Sequence, residues 1–241
     1  FVAAGVRTPV RVVPHLRRHA WNNFAPDELA AARVRFGIAG ARFVFYSINA
    51  WDPRKALRTL LLAFVRAFRA DDGVALVLRS GPLGYGAPPN YAREPTLALA
   101  QAAVDDATDE LDRDAPPICV LPNVLGGRGI DLLHELGDAY VTLPHGEGWA
   151  LGLFDAATRG TPAIVVADPD NAATELVEDG VNGVIAPSAS AQDLAAAITG
   201  ALARLGEQFD HHLLGATGGL AGEAAVGVAG LVGVQPGRRV G

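Results

Sequence analysis

Short apolar segments alternate with longer amphipathic ones through most of the chain, and this alternation restricts the possible folds more than any other feature. Several of the short segments are apolar over most of their length on both alternating faces, as in "VALVLRS" at 74–80 and "PAIVVA" at 162–167. A strand that is apolar on both faces needs helices packed on both sides of its sheet. The sequence therefore predicts an α/β protein with a doubly wound, parallel, Rossmann-like sheet over about residues 8–208.

The individual elements follow from hydrophobic periodicity and from residues that begin or end helices. Predicted strands lie at 10–14, 42–48, 74–80, 118–122, 139–143, 162–167 and 183–187. Predicted helices lie at 25–36, 55–70, about 95–113, 131–137, 150–159, near 172–180 and from 190 to 205. Ser190 and Asp193 have the spacing of a capping box, which marks the start of the last helix.

Composition excludes several classes of protein. The 241 residues are enough to bury a core without disulfides, and the single cysteine, Cys119, lies in an apolar run where a small core residue is expected. With 50% apolar and 19% charged residues the chain has the balance of a soluble globular protein, so a cytoplasmic location is the default expectation. No apolar run reaches the roughly 18 residues of a transmembrane segment. A net charge of −6 argues against nucleic acid as a partner.

The two ends of the sequence differ from the rest. The chain begins at Phe1 and contains no methionine, which predicts that it is a fragment of a longer protein. Residues 209–241 are rich in glycine and alanine and have no helical or strand periodicity. We therefore expect a nucleotide-binding domain over 1–208 and a poorly ordered tail over 209–241.

Ligands of open parallel sheets bind beyond the carboxyl ends of the strands, where the helices that follow begin. The candidate loops are 47–55, 79–94, 122–129, 144–150 and 167–174. In the first of them, Arg54 and Lys55 stand where a strand has ended and a helix begins, so that their charges and free helix amides could face one anion. Lys55 is the only lysine in the chain. The alternative is a solvated pair of cations at the start of an amphipathic helix.

The segment "HGEGWALGLFD" at 145–155 is a second candidate. Gly146 and Gly148 leave backbone amides available at a helix start, where such amides bind phosphate or sugar oxygens. The Glu147 carboxylate is suited to accept hydrogen bonds from sugar hydroxyls, and Asp155, eight residues later, is suited to bind a ribose diol. The alternative is that Glu147 only stabilises the helix dipole.

Three other signals have simpler interpretations. Asp168 and Asp170 imitate an Asp-x-Asp metal motif but are expected to form a polar connection, so no metal site is predicted. The "GGRG" segment at 126–129 lacks the full dinucleotide-binding spacing and reads equally well as a backbone contact to a ligand or as a plain turn. His134, His145 and the adjacent pair at 211–212 have no partners at catalytic or metal-binding spacing.

Together, these segments resemble a known family. The run "GEGWALGLFDAATRGTPAIVVADPDNAATELVEDGVNGVIAP" is similar to the donor-binding half of retaining GT-B glycosyltransferases, the glycosyl transferases group 1. "FYSINAWDPRKALRTLLLAFVRAF" resembles the family's strand-loop-helix with Arg-Lys-Gly, and "GDAYVTLPHGEG" resembles the approach to its Glu-Gly turn. The likeness is collinear over about residues 8–200.

The resemblance implies a role for each matched residue. Lys55, with Arg54, would neutralise the donor diphosphate, and Asn49 occupies a position where many members have an arginine for that diphosphate. Glu147 would hold hydroxyls of the transferred sugar. The predicted donor-binding set is completed by the amides of Gly148, Trp149 and Ala150 and by the carboxylate of Asp155, which would bind the ribose.

The resemblance also implies a reaction and a missing part. Such enzymes are hexosyltransferase-type transferases that use a nucleotide-diphosphate sugar, need no metal or other cofactor and retain the anomeric configuration. Their active site lies between two Rossmann-like domains. The chain would be the donor-binding carboxyl-terminal domain, inactive by itself. The amino-terminal domain, absent here, would bind the acceptor and make any peripheral membrane contact.

Several residues depart from the family pattern and keep two alternatives open. Ala56 and Ala150 replace glycines, Gly152 replaces a common proline, and Asp155 replaces a glutamate. Together with Asn49, these changes would fit a degenerate, non-catalytic nucleotide-sugar-binding module. A nucleotide-sugar epimerase of the same fold is the other alternative, although the sequence offers no obvious acid and base pair for it.

Overall fold

The computed structural model describes residues 2–11, 13, 15–16, 20–86 and 92–213. The described helices are α1 (Pro26–Arg35), α2 (Leu57–Ala67), α3 (Thr96–Leu111), α4 (Gly127–Leu136), α5 (Leu151–Thr158) and α6 (Ala191–Leu213). The strands are β1 (Phe43–Ile48), β2 (Val74–Arg79), β3 (Leu83–Tyr85), β4 (Arg93–Pro95), β5 (Ile118–Leu121), β6 (Ala139–Val141), β7 (Ala163–Val166) and β8 (Gly183–Ala186). Short 3₁₀ helices span Val2–Ala4, Pro53–Lys55 and Ala172–Glu175.

Six of these strands form one parallel sheet in the order β5-β2-β1-β6-β7-β8. The chain moves from β1 outward to β2 and β5, then returns to the other side of β1 and continues through β6, β7 and β8. The direction of winding therefore reverses between β1 and β6. This reversal confirms the predicted doubly wound, Rossmann-like class, and it makes the carboxyl ends of β1 and β6 the expected position of a ligand.

The sheet is covered on both faces, as its apolar strands require. Phe43 and Phe45 of β1 point into one core with α2, α3 and α6, whereas Val44 and Tyr46 point into a second core with α1, α4 and α5. All four side chains are at most 4% exposed. Helix α2 buries Leu57, Leu60, Leu61, Ala63, Phe64 and Val65 along the predicted amphipathic stripe.

Some predicted elements are wrong or shifted. Residues 10, 11 and 13 form no strand, and Val10 and Val13 are exposed, while residues 12 and 14 of the predicted segment lie outside the described residues. The predicted helix near 172–180 is only the 3₁₀ turn Ala172–Glu175, because Asn171 caps it locally and the chain must soon enter β8. Arg128 and the glycines beside it lie in the first turn of α4, so the "GGRG" segment is not a plain turn.

The start of the second predicted helix is also different. The segment 55–70 divides into the 3₁₀ turn Pro53–Lys55 and helix α2, separated by Ala56 in the left-handed conformation (φ 52°). A short antiparallel hairpin of β3 and β4, which periodicity did not predict, follows β2.

The last helix, α6, begins as predicted and ends later than predicted. Its first turn is capped as predicted, with the Asp193 amide donating to Ser190 Oγ at 3.1 Å. Helix α6 runs to Leu213, five residues beyond the predicted boundary at 208, and the rest of the predicted tail, 214–241, lies outside the described residues. No helix in the described part of the chain is both long and apolar enough to cross a membrane.

Candidate functional site

The loop after β1 presents the two cations. Asp52 caps the 3₁₀ turn by accepting the Arg54 amide at 2.9 Å, and Ala56 in its left-handed conformation then starts α2. This tight sequence of turns holds the Lys55 side chain against the protein, where it is only 14% exposed, while the Arg54 side chain stays 51% exposed. The loop therefore presents one sheltered ammonium and one exposed guanidinium at the carboxyl edge of the sheet.

The loop after β6 presents the carboxylate. The Glu147 amide donates to the Asp170 carbonyl at 2.9 Å, and the Glu147 carbonyl accepts from the Ala172 amide at 2.9 Å. Asn171, 2% exposed, fixes that neighbouring segment by donating to the Val166 carbonyl at 3.0 Å. Glu147 is thereby held to the end of β7 by backbone bonds on both sides, so its side-chain direction does not depend on a free loop.

The two loops meet at one place. Lys55 Nζ donates to Glu147 Oε2 in an ion pair in which both side chains are about 15% exposed. Arg54 Nη1 lies 3.7 Å from the same carboxylate oxygen and also donates to the Gly146 carbonyl. The backbones are joined as well, because the His145 amide donates to the Arg54 carbonyl at 2.8 Å. Residues 92 positions apart in sequence thus form one charged cluster.

The environment of Glu147 favours its charged form. Burial would raise the pKa of the Glu147 carboxyl, but the hydrogen bond and charge of Lys55, together with the amides of Ala150 and Trp149, outweigh burial and lower that pKa below its usual value. The Gly148 amide lies 3.1 Å from Glu147 Oε1. Glu147 is therefore a carboxylate at neutral pH, suited to accept hydrogen bonds and unsuited to donate a proton.

A cavity of about 340 Å³ lies beside this cluster, at the switch point between β1 and β6. Its lining contains five of the predicted site residues, namely Asn49, Lys55, Glu147, Trp149 and Ala150. The rest of its lining consists of Ile48, Ala50, Arg79, Tyr140, Thr142, Leu151 and Gly152. Arg54 and Gly148 contact Glu147 from outside the lining. We call this space the switch-point cavity.

Asn49 lines the cavity and also forms hydrogen bonds between the ends of two strands. Its side-chain amide donates to Ser47 Oγ at 2.9 Å and to Thr142 Oγ1 at 3.3 Å, which ties the end of β1 to the end of β6. The residue is 8% exposed. Because both hydrogen bonds use the Nδ2 hydrogens, the strand ends hold the donors that a diphosphate would need from Asn49.

Asp155 lies in α5 and is absent from the lining of the switch-point cavity. Its charge acts on two buried phenols on the inner side of the helix. Burial, first of all, raises the pKa of both Tyr140 and Tyr46, and the Asp155 carboxylate raises each further. The predicted contact of Asp155 with a ribose stays a prediction.

Packing requires glycine at position 152, where the resembling family commonly has a proline. A Cβ on Gly152 would lie 2.3 Å from Tyr140 Oη, which donates to the Ile48 carbonyl at 3.2 Å. Any side chain here would push Tyr140 out of the wall of the cavity. The absence of a side chain at 152 is therefore explained by the tyrosine below it.

Sequence reasoning missed three residues of the cavity wall, Arg79, Tyr140 and Thr142. Arg79 and Tyr140 belong to strands and Thr142 follows one directly, whereas the prediction from sequence considered mainly loop residues. Arg79 had a usable signal, because an arginine follows the apolar segment 74–78 and is the first residue of the candidate loop 79–94. Register would have completed the inference, since Arg79 pairs with Ile48 in the parallel ladder.

The structure explains Asp168, Asp170 and His134, for which the sequence predicted no ligand-binding role, by contacts within the protein. Asp168 accepts the Asp170 amide at 2.9 Å within its own loop. Within the described ranges, no three His, Cys, Asp or Glu side chains form a group that could hold a metal ion. His134 is 2% exposed and shares a 2.8 Å hydrogen bond with Tyr46 Oη, in the role of a core residue.

A doubly wound parallel sheet with a charged cavity at its switch point defines the chain as a Rossmann-like α/β domain with a cavity where such folds bind their ligands. Solved glycosyltransferase structures share this fold. The C-terminal domain of a glycosyl transferase group 1 family protein from Francisella tularensis superposes with a TM-score of 0.54 at 13% identity, covering 71% of this chain and 82% of that one. An Anabaena protein in complex with UDP and glucose gives a TM-score of 0.53 at 16% identity, covering 79% and 53%.

Sequence comparison finds related proteins among glycosyltransferases. Residues 123–207 match the family model described as glycosyl transferases group 1. D-inositol 3-phosphate glycosyltransferase of Geodermatophilus obscurus is 34% identical over 186 residues, which cover 76% of this chain and 38% of the relative. The protein of the same name from Mycobacteroides abscessus is 30% identical over 186 residues, covering 77% and 38%. Residues 123–207 are therefore related to the glycosyl transferases group 1 family, and the chain spans about 38% of the length of these curated relatives.

Proposed function

We propose that the chain is the donor-binding part of a glycosyltransferase that transfers a sugar from a nucleotide-diphosphate sugar to an acceptor, with retention of configuration. The observation that carries this proposal is the meeting of Lys55 and Glu147, from opposite halves of the sheet, at the wall of the switch-point cavity. A cation and a carboxylate side by side suit a ligand that has an anionic part and a hydroxylated part. A nucleotide sugar joins those two parts.

The proposed roles follow from charge. Lys55 and Arg54 would face the diphosphate, where a fixed positive charge stabilises the leaving group as its bond to the sugar breaks. Glu147, ionised because of its surroundings, would accept hydrogen bonds from sugar hydroxyls. The amides of Gly148, Trp149 and Ala150, at the start of α5, would line the sugar and phosphate.

Binding of such a donor must compete with the ion pair. In the absence of ligand, Lys55 and Glu147 satisfy each other. A diphosphate would take Lys55 as its partner, and sugar hydroxyls would take Glu147, so each half of the ligand would replace one half of the ion pair. A ligand with only one of the two parts would leave the other side chain of the pair without a partner.

One specific observation favours the alternative of a degenerate binding module. Asp155, the predicted ribose ligand, is absent from the cavity lining. Against this, Ala56 and Ala150 keep the left-handed backbone that glycine would adopt at each helix start, with φ values of 52° and 58°. The substituted positions therefore preserve the shape of both loops, which favours a working donor site over a lost one.

Calorimetric titration of the chain with UDP-, GDP- and ADP-sugars tests the proposal. We expect saturable binding of at least one nucleotide sugar, with glucose 1-phosphate, which lacks the nucleoside diphosphate, as the matched weak-binding control. Failure of every nucleotide sugar to bind would contradict the donor-binding role. Donor binding without hydrolysis or transfer by the isolated chain would agree with a site that needs an acceptor-binding half.

The acceptor belongs to the longer protein. The names of the curated relatives suggest an inositol phosphate as the acceptor class of a whole enzyme containing this chain. Assaying transfer to inositol phosphates by a whole enzyme that joins this chain to an acceptor-binding domain tests this suggestion. Analysis of the product's anomeric configuration in the same assay tests retention, and robust transfer by the isolated chain would contradict the two-domain proposal.

A further inference from the structure

Arg79 occupies a position at the switch-point cavity that neither the family resemblance nor the proposed function uses. It is the last residue of β2, and its backbone carbonyl accepts the Asn49 amide at 3.1 Å. Its partly buried side chain lines the same cavity as Lys55 and Glu147. Arg79 is therefore a third charged residue at this wall, contributed by a third segment of the chain.

Arg79 has a hydrogen-bond donor that no acceptor satisfies in the described part of the chain. Arg79 Nε is shielded from solvent and has no acceptor in the described part of the chain. Trp149 Nε1, in another residue of the lining, is shielded and lacks an acceptor in the same way. A buried donor without an acceptor is destabilising, so two such donors in the wall of one cavity require an explanation. A ligand with several acceptor oxygens would provide acceptors for both donors.

The charge balance of the cavity points to the same kind of ligand. Three charged residues line it, and Lys55 and Glu147 neutralise each other. Arg79 makes no ion pair within the described ranges, so it is the cation of the lining that remains available. Asn49, on the neighbouring strand, commits its side-chain donors to Ser47 and Thr142. Of the residues at the ends of these two strands, Ile48, Asn49 and Arg79, only Arg79 carries a charge.

We propose that Arg79 is a diphosphate-binding residue, so that the anionic part of the ligand is held both by Lys55, from the turn after β1, and by the guanidinium at the end of β2. This inference rests on the proposed function, because it identifies a further residue of the same donor site. A guanidinium presents several donors in one plane and suits the oxygens of a diphosphate. Arg79 would bind the diphosphate without first having to leave a carboxylate, whereas Lys55 must exchange Glu147 for it.

The experiment compares wild type, Arg79→Gln and Arg79→Lys in calorimetric titrations with UDP, GDP and ADP. We expect Arg79→Gln to weaken binding of the preferred nucleoside diphosphate by about 10- to 100-fold, the range for a lost hydrogen bond to a charged group. Arg79→Lys keeps the charge and loses the planar donors, so its loss is expected to be smaller. The wild-type affinity is also expected to fall more steeply with salt than that of Arg79→Gln.

Arg66→Gln is the matched control, because it removes one arginine from the far end of α2, where Arg66 pairs with Glu110. Equal affinity and equal salt dependence of Arg79→Gln and wild type would overturn the role of Arg79 and leave the proposed function standing. Absence of binding by wild type would overturn both. A lower thermal midpoint with unchanged salt dependence of binding, in a folded Arg79→Lys or Arg79→Gln protein, would mark Arg79 as structural and overturn the inference.

Discussion

The two edges of the main sheet meet the same conformational requirement in different ways. At the amino edge, where helices end and strands begin, left-handed positions are filled by residues that tolerate them, namely Gly37, Gly73, Asp112, Gly160 and Gly180. At the carboxyl edge, the left-handed positions that begin α2 and α5 are filled by Ala56 and Ala150. Alanine is disfavoured in this conformation by roughly 1–2 kcal/mol. Backbone strain is thus concentrated at the edge that carries the switch-point cavity, as is common at functional sites.

Carboxylates show a similar contrast between the edges. Asp138, at the amino end of β6, is partly buried and accepts the Val44 amide at 2.7 Å. Burial raises its pKa to about 6, and the Val44 hydrogen bond and the charge of Arg33 only partly oppose that effect. Glu147, at the carboxyl edge, has an ammonium partner, and its pKa is lowered. Burial acts in the same direction on both, so the presence of a paired cation decides the sign.

The largest effect is expected from separating the two members of the Lys55–Glu147 pair. Lys55→Gln removes the partner of the diphosphate, so the affinity for a nucleoside diphosphate should fall by about 10- to 100-fold. Glu147→Gln removes the group that competes for Lys55, so the affinity for the same nucleoside diphosphate should rise. The affinity for the intact nucleotide sugar should fall in both variants, because Glu147 is proposed to hold the sugar. Calorimetry with both ligands measures all four changes.

Arg58→Gln provides a control for the loss of one positive charge, since Arg58 is about half exposed and pairs with Asp106 on α3. It should leave both affinities unchanged. A weaker affinity of Glu147→Gln for the nucleoside diphosphate alone would contradict the idea that the ion pair competes with the ligand. The contrast between the edges would then reduce to burial, with no role for the paired cation in binding.

The second effect tests the amino edge through pH. The Asp138 carboxyl titrates near its ordinary value of 3.8 in the unfolded chain and at about 6 in the folded one. Below both values it is protonated in both states, and its contribution to stability is fully present. As the pH rises from 3.8 through 6, the unfolded state releases the proton first and stability is lost. The shift of about two pKa units corresponds to at most about 3 kcal/mol.

Asp138→Asn removes this titration while its amide oxygen can still accept the Val44 amide. We expect the free energy of unfolding of Asp138→Asn to exceed that of wild type at pH 7 and the advantage to disappear at pH 4. Denaturant unfolding at several pH values measures this. The matched control is Asp109→Asn, at an exposed position of α3. A difference between Asp138→Asn and wild type that does not change between pH 4 and 7 would contradict the burial of an ionised Asp138.

The third effect tests how tightly the amino edge is packed. A Cβ on Gly137 would lie 2.0 Å from a ring carbon of Tyr46, which is 1% exposed and cannot move freely. Gly137→Ala should therefore lower the free energy of unfolding by about 1–3 kcal/mol, the usual cost of overpacking a core. Gly126→Ala, at the other end of α4, is the control, because a Cβ there meets no atom within 4 Å. Equal thermal midpoints for the two variants would show that Tyr46 has room to move.

The sequence predicted the sheet and the meeting of its two loops, and the reasons are general. Continuous apolar segments such as 74–78 require a covered sheet, and parallel strands bring their following loops to one edge. That rule was sufficient to predict that Lys55 and Glu147 lie near each other. It was insufficient for Asp155, because the direction of a side chain from α5 depends on how the helix packs over Tyr140. Arg79 was missed, although the candidate loop 79–94 begins with it, because the sequence does not show that its side chain lines the cavity.

In the sequence, Ala56 and Ala150 are visible as departures from a family pattern, but their effect on the backbone is not. An alanine that replaces a glycine either shifts the backbone to a favourable φ or keeps the left-handed φ at a cost in strain. Composition and periodicity do not reveal which of the two occurs. The structure shows that both alanines accept the strain. The two substitutions therefore change the energy of the carboxyl edge and preserve its shape.

This difference gives the smallest effect and the sharpest test of the contrast between the edges. Ala150→Gly should raise the free energy of unfolding by up to about 1 kcal/mol, because relief of the left-handed strain exceeds the loss of one buried methyl group and of chain stiffness. Ala157→Gly, at an exposed position of α5 with ordinary helical geometry, should lower it by about 1 kcal/mol. Denaturant unfolding of the two variants compares the same substitution on one helix with opposite expected signs. If both lowered stability equally, Ala150 would carry no strain, and the carboxyl edge would differ from the amino edge in charge alone.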